Sequence, residues 1–384
     1  MKTKTTLLLG SFVLLSPLAY SQTEINITGA TAFRAAAHEA IRTTLTGTQY
    51  AYNGGTLGGA SQAIFKGTLG GQQYIVRTSF SGSGPGIASI SSPTATVQVL
   101  DVNTTVSTNG TAASSPVFQS VNPRWSFSDV EKNLAGYPNA SLGGGPVGIV
   151  PFMFIASRGA TTAQISNMTT QAHNALWSRG QLSGPSRYGF NFSPDTFVLA
   201  TGRSGGSGTR FTILAETGYG TNTNVAQWTA NASGELTDAA NGGYSGSGDV
   251  RNAINLDRSN LKVGGSAIDA VLVSYMTVSD AITISGYSPA TGASTAGAPV
   301  PLSYNGVRYS PENVRNGSYT LWGYQQLYTA NISGLEVTFD TAFRDQIAAY
   351  LATDVNGTTG IAIDSNLKVS RVGGDGGPVV PTVD

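Results

Sequence analysis

The chain has 384 residues, with Lys+Arg 21 balancing Asp+Glu 21, only 11% charged residues, 49 glycines and no cysteine. Zero net charge without a basic stretch argues against nucleic-acid binding, which needs a positive footprint. The missing cysteines exclude disulfide scaffolds, thiolate zinc sites and cysteine catalysis, and two histidines, His38 and His173, make His-based metal or Ser-His-Asp chemistry a poor fit.

In chain order, Lys2 and Lys4 precede the apolar run 7–15, and Ala19-Tyr20-Ser21 places small residues where a signal peptidase inspects. Residues 1–21 therefore read as a secretory signal peptide, too short to span a bilayer, with no cysteine after the cleavage site for a lipid anchor. A strand is expected over 24–27. It runs through Thr28-Gly29-Ala30-Thr31 into a helix over 32–45, with Phe33, Ala36, Ala37, Ala40 and Ile41 on one face. A β-branched and aromatic strand over 74–80 leads into Ser81-Gly82-Ser83-Gly84-Pro85-Gly86. Residues 91–123 read as an extended excursion with β character. The run 147–156 is a buried strand or crossover, 169–177 a helix, and 197–200 a buried strand. That strand enters Arg203-Ser204-Gly205-Gly206-Ser207-Gly208-Thr209, followed by a helix over 209–216. Residues 217–249 suggest loop or hairpin, 250–256 a short helix, 268–275 a strand, 284–300 a loop, 319–328 a strand and 341–352 a helix. Residues 373–384 read as a loose tail.

One local design recurs: a buried strand, a turn of Gly, Ser and Thr, then a helix. The first N–H groups of such a helix have no internal partner, and its dipole favours negative charge. Glycine lets the backbone approach a ligand closely. The turns 28–33, 81–87 and 203–209, with Arg203 and the carboxylate of Asp129, could form a cage for a small oxyanion. In a chain this rich in Gly and Ser, each Gly-Ser-Gly is also readable as a turn, Arg203 as a surface residue and Asp129 as a helix cap.

The order of these segments resembles the phosphate-binding proteins of bacterial ABC transporters, over nearly the whole chain after the leader. Ile27-Thr28-Gly29-Ala30-Thr31-Ala32-Phe33 is similar to that family's opening strand and turn, and Gly82-Ser83-Gly84-Pro85-Gly86-Ile87 to its Gly-Ser-x-x-Gly turn. Ser126-Phe127-Ser128-Asp129 is similar to its Gly-Ala-Ser-Asp segment. Arg203 to Thr209 is similar to its Arg-x-Asp-Gly-Ser-Gly-Thr motif, the most specific of the four. Ala32 stands where the family has Thr, so that Thr31 or Thr28 supplies that hydroxyl or the site lacks it. Gly205 stands where it has the Asp that helps hold the Arg. The Gly/Ser/Thr-rich stretches 91–123 and 284–300 are insertions on this comparison.

The resemblance implies an α/β, two-lobed type II periplasmic binding-protein fold with a hinge and an interlobe cleft. Lobe one would be 22–150 plus 301–372, lobe two 151–300, and 373–384 a flexible tail. It implies a non-enzymatic protein without cofactor or metal, periplasmic or secreted and monomeric, that captures inorganic phosphate, with an inner-membrane ABC permease as partner. Its ligand residues would be Thr31, Phe33, Ser83, Asp129, Arg203, Ser207, Gly208 and Thr209. Asp129 would accept a hydrogen bond from a protonated phosphate and reject sulfate. The low charge and abundant Gly, Ser, Thr and Asn also suit another class, a secreted surface or adhesion protein on the same scaffold. An enzyme is the weaker fit, since Ser207 has no nearby base by pattern. N-terminal sequencing of the exported protein is expected to begin at Gln22; a mature chain that retains residues 1–21 contradicts the leader.

Overall fold

The computed structural model describes residues 22–382, so the expected leader lies outside the described residues. The fold is α/β, organised on one large mixed sheet. The N-terminal part comprises β1 (Thr23–Gly29), α1 (Arg34–Thr44), β2 (Thr46–Asn53), β3 (Gln62–Leu69), β4 (Gln72–Phe80) and α2 (Ser83–Ser91). A hairpin, β5 (Val97–Leu100) with β6 (Phe118–Val121), precedes β7 (Trp125–Ser128) and the long β8 (Gly143–Ala156). Then come α3 (Thr170–Arg179), β9 (Phe197–Ala200), α4 (Gly208–Glu216), the hairpin β10 (Gln227–Ala230) and β11 (Leu236–Ala240), and α5 (Ser247–Ile254). β12 (Ala270–Thr277), α6 (Val278–Ser285), α7 (Pro311–Arg315), β13 (Trp322–Thr329), α8 (Leu335–Thr353) and the hairpin β14 (Val369–Arg371) with β15 (Val379–Pro381) complete it.

The main strand order is β9-β12-β8-β13-β7-β1-β4-β3-β2. β1 runs parallel to β4 and β7, and β9 parallel to β12; the remaining neighbours in this row are antiparallel. β8 belongs to both halves of the sheet. Its residues up to Pro151 pair with β13, and Phe152 to Ala156 pair with β12. Pro151 has no N–H to place in a ladder, and it stands where the strand changes partners. Aromatic side chains fill the core beneath these strands: the Phe33 and Phe127 rings lie 5.5 Å apart, and His173 stacks on Trp177 at 4.6 Å. Trp125, Trp177 and Trp322 are fully buried, as scattered core aromatics should be. Both histidines are buried; His38 sits between the Leu57 carbonyl and the Thr78 hydroxyl.

Most elements fall where the sequence places them. The excursion 91–123 contains the β5–β6 hairpin, and Leu100 packs with Ala51, Ile64 and Ile75 on the outer face of β2 to β4. β2, β3 and α6 have no counterpart in the sequence reading, and α8 begins six residues before the helix expected at 341–352. The loose tail is corrected. Through Thr382 it is part of the fold: β14 and β15 pair, and Asp375 is buried and accepts the N–H groups of Tyr324 and Glu131, each at 2.9 Å.

Gly29 has φ +110°, a conformation side chains rarely adopt, and a Cβ there would overlap the Phe127 carbonyl. Gly29→Ala should destabilise the protein by roughly 2 kcal/mol or more, from strain plus overpacking. Gly205→Ala, with nothing within 4 Å of the new methyl, should leave urea unfolding unchanged.

Candidate functional site

The turns expected to converge do so. Thr31 and Ala32, just before α1, line one small pocket with Arg203, Thr209, Ser247, Val250, Tyr275, Met276, Thr277 and Asp280. The N-terminal ends of α1, α4, α5 and α6 therefore meet around a single space. Phe33 at α1 and Gly246 at α5 supply no side-chain cap, so the leading N–H groups of these helices remain donors for something else. Thr277 caps α6, its hydroxyl oxygen accepting the N–H of Asp280 at 3.2 Å.

The α2 turn lies beside this pocket. The Gly84 N–H donates to the Gly206 carbonyl at 3.2 Å, joining the turns 81–87 and 203–209 directly. Ser83 is buried, and its hydroxyl oxygen accepts the N–H of Asp129 at 3.1 Å. Gly208 is required by this packing, because a Cβ there would overlap Ser83 Oγ and come 3.1 Å from the Asp129 Cβ.

Asp129 is buried. Its Oδ2 accepts the Thr209 hydroxyl at 3.3 Å, while Oδ1 has no protein partner. Burial pushes its carboxyl up to about 6, against the opposing pull of the Arg203 charge and the Thr209 hydrogen bond. The Asp129 carbonyl accepts the Thr212 hydroxyl at 2.8 Å, tying α4 to this segment a second time.

Arg203 is 4% exposed. With glycine at position 205, it is held by main chain: Nε donates to the Tyr244 carbonyl at 3.3 Å and Nη2 to the Ser245 carbonyl at 2.8 Å. Its loop is fixed in turn, with Tyr244 N–H on the Gly202 carbonyl and Ser204 N–H on the Tyr244 carbonyl, both at 2.9 Å. The buried Arg210 donates to the Arg203 carbonyl at 3.2 Å and to the Asn241 carbonyl at 2.8 Å. Burial lowers the Arg203 pKa, and the charge of Asp129 is the largest influence acting against that.

Of the eight expected residues, Thr31, Arg203 and Thr209 line the pocket. Ser83, Asp129 and Gly208 form the adjoining wall. Phe33 is at the α1 N-terminus with its ring in the core. The Ser207 hydroxyl oxygen accepts from the Arg210 N–H, capping α4. Thr28 is excluded as the supplier of the missing hydroxyl, because its Oγ1 donates to the Ser79 carbonyl at 2.7 Å.

Several site residues had no place in the sequence reading. Asp280 lines the pocket and lies 3.5 Å from Arg251 Nε. Burial lowers the pKa of the half-buried Arg34, first residue of α1; the charge of Asp280 opposes that shift, and the like charges of Arg251 and Arg203 add to it. A usable signal for Asp280 existed: Thr277-Val278-Ser279-Asp280 fits the Ser/Thr-x-x-Asp/Glu helix-start pattern. Among the described residues, no group of three or more His, Cys, Asp or Glu could hold a metal ion, and no helix is long and apolar enough to cross a membrane.

No family model matches the sequence, and no curated protein matches it. Several solved structures are similar to this chain over most of its length at low sequence identity. A Clostridium perfringens protein assigned as a phosphate ABC transporter substrate-binding protein, with bound phosphate, is 14% identical with a TM-score of 0.49, over 89% of this chain and 100% of its own. An ABC-type phosphate transport receptor from Vibrio cholerae is 11% identical with a TM-score of 0.47, over 85% and 98%. PstS from Borrelia burgdorferi is 12% identical with a TM-score of 0.40, over 90% and 100%.

Asp129 binds its proton more tightly folded than unfolded. Its contribution to stability is full below its ordinary value of 3.8 and is lost as pH rises through about 6. His38 and His173, lowered by burial to about 4, act oppositely: they favour the folded state above 6.5 and lose that as pH falls through about 4. The wild-type profile mixes both signs, so a variant isolates the carboxyl. In phosphate-free buffer, the melting temperature of Asp129→Asn minus that of wild type should grow as pH is raised from 5 to 8. A difference independent of pH contradicts the buried, protonatable carboxyl.

Proposed function

We propose that the chain is an exported solute-binding protein that captures inorganic phosphate between two lobes for uptake through an ABC permease. The supporting observation is the convergence of four helix N-termini, two of them without side-chain caps, on one pocket that also holds a buried arginine. Such an arrangement supplies N–H dipoles, hydroxyl donors and one fixed positive charge to a small anion. One lobe would be 22–150 with 301–372, now joined by the hairpin that follows, and the other 151–300. β8 would be one of the crossings between them.

In this reading Arg203 binds two phosphate oxygens. The hydroxyls of Thr31, Ser83 and Thr209 and the N–H groups at Phe33 and Gly208 surround the rest. Ser207 acts through its helix cap, keeping the α4 N–H groups aimed at the ligand. Asp129 is the selective element. Above pH 6 its carboxylate is acceptor-only, which suits monohydrogen phosphate and repels sulfate, an anion with no proton to offer. An unmatched buried acceptor of this kind can separate the two by about 10⁴-fold. Below pH 6 the protonated carboxyl becomes a donor, and the selection weakens.

Calorimetry at pH 7.5 should detect phosphate binding and no sulfate binding. Arg203→Ala should lower phosphate affinity by about 100-fold or more, and Asp129→Asn should admit sulfate. Sulfate binding by wild type tighter than phosphate at that pH, or full phosphate affinity in Arg203→Ala, overturns the reading.

A further inference from the structure

The C-terminal hairpin is remote in sequence from the candidate site, yet it touches both segments that hold the site together. Arg371 is 8% exposed. Its Nη1 donates to the Gly377 carbonyl at 2.7 Å and its Nη2 to the Trp322 carbonyl at 2.8 Å, and Nη2 also pairs with Glu216 Oε2 at 2.8 Å. The guanidinium carbon lies 4.3 Å from the centroid of the Trp322 ring. Glu216 is the last residue of α4, whose first two residues are Gly208 and Thr209. Asp375, at the turn of the hairpin, accepts the N–H of Glu131, two residues beyond Asp129. Between these anchors Gly376 lies so close to α4 that a Cβ on it would stand 2.8 Å from the Ala215 carbonyl carbon.

We propose that this hairpin is a strap that holds α4 in fixed relation to the Asp129–Glu131 segment, and thereby sets how fast an anion held between them is released. The proposal rests on the phosphate reading. An anion bound against Gly208, Thr209 and Asp129 leaves only when those walls part, because Ser83, Asp129 and Thr209 are all buried in this arrangement. Parting them breaks the Thr212 hydroxyl bond to the Asp129 carbonyl. It then pulls Glu216 away from Arg371, a separation that deprives two desolvated side chains of the opposite charge each faces. Arg371 and Asp375 are positioning residues, acting through Glu216 and through the Glu131 backbone.

The test uses the full mature chain. Because the sequence has no cysteine, spin labels can be placed uniquely by Ser178→Cys in α3 and Thr338→Cys in α8, both exposed. Arg371→Met with Glu216→Gln removes the pair without stranding one charge; Glu216→Gln alone is the milder variant if the double variant does not fold. Release of radiolabelled phosphate in an isotope chase should speed up about tenfold or more, with association changed by less than about threefold. The phosphate-free label-to-label distance distribution should broaden. An unchanged release rate and distribution in a folded variant overturns the strap. Equal losses in both rate constants with an unchanged distribution mark a merely structural role and overturn it too. If wild type binds no phosphate, the functional reading fails by itself, and the distance distribution alone decides for or against the strap.

Discussion

Asp129 carries a carboxylate into a place where no protein group fully satisfies it, and the surrounding structure is arranged around that condition. A buried, half-partnered carboxyl is expensive when ionised, and its pKa rises accordingly. It is tolerated because Arg203 stands near enough to oppose the shift, and because Thr209, Ser83 and Thr212 bond to its side chain, its N–H and its carbonyl. These contacts come from two turns far apart in sequence. They meet because two glycines leave room: a Cβ at position 84 would stand 3.0 Å from the Gly206 carbonyl oxygen, and one at position 208 would overlap Ser83 Oγ. The close approach and the buried charge depend on each other: a wider gap would admit water and restore an ordinary carboxyl.

The charge balance of the chain has the same logic. A net charge of zero gives little long-range attraction for an anion, so an anion at the candidate site would be held by short-range groups. Helix-end N–H groups and hydroxyls need no counterions, and Arg203 is fixed by neutral carbonyls rather than by an acidic partner. An arginine neutralised by a bound carboxylate offers less to a ligand than one oriented by carbonyl dipoles. The glycine at position 205 supplies no carboxylate, and Arg203 is oriented instead by the Tyr244 and Ser245 carbonyls, in a segment whose Asn241 and Gly242 carbonyls accept from Arg210 and Gln227.

Local signals in the sequence were sufficient for the strand-turn-helix units. β1 with α1, β9 with α4, and the cap at Ser207 all follow from apolar runs ended by Gly and Ser. The sequence left Thr28 and Thr31 as alternatives, and only the Ser79 carbonyl separates them. What escaped was either locally ambiguous or long-range. α6 is rich in β-branched residues that read as strand or loop, and it forms because Thr277 caps it and β12 delivers it to the sheet edge. Arg34 and Arg251 look like solvated charges on amphipathic helices until Asp280 is seen beside them. The last segment, Gly-rich and without periodicity, resembles a tail. Its order comes from one arginine and one aspartate whose partners lie 155 and 244 positions away.

The two walls of the site are joined through few places, and these constrain how the molecule can move. β8 changes from β13 to β12 at Pro151, where the ladder lacks an N–H and bending disturbs the fewest hydrogen bonds. Trp322 pairs with Pro151 in that ladder, and the same residue offers its ring and its carbonyl to Arg371. The partner switch of β8 and the C-terminal strap therefore share a residue. A rotation of one half of the sheet about Pro151 carries Trp322 or Arg371 with it and strains the Glu216 pair at the far end of α4. The candidate anion site at the first turn of α4 and the Glu216–Arg371 pair at its last turn are thus two ends of one helix, about 13 Å long at 1.5 Å per residue. Side chains at either end act on the same motion.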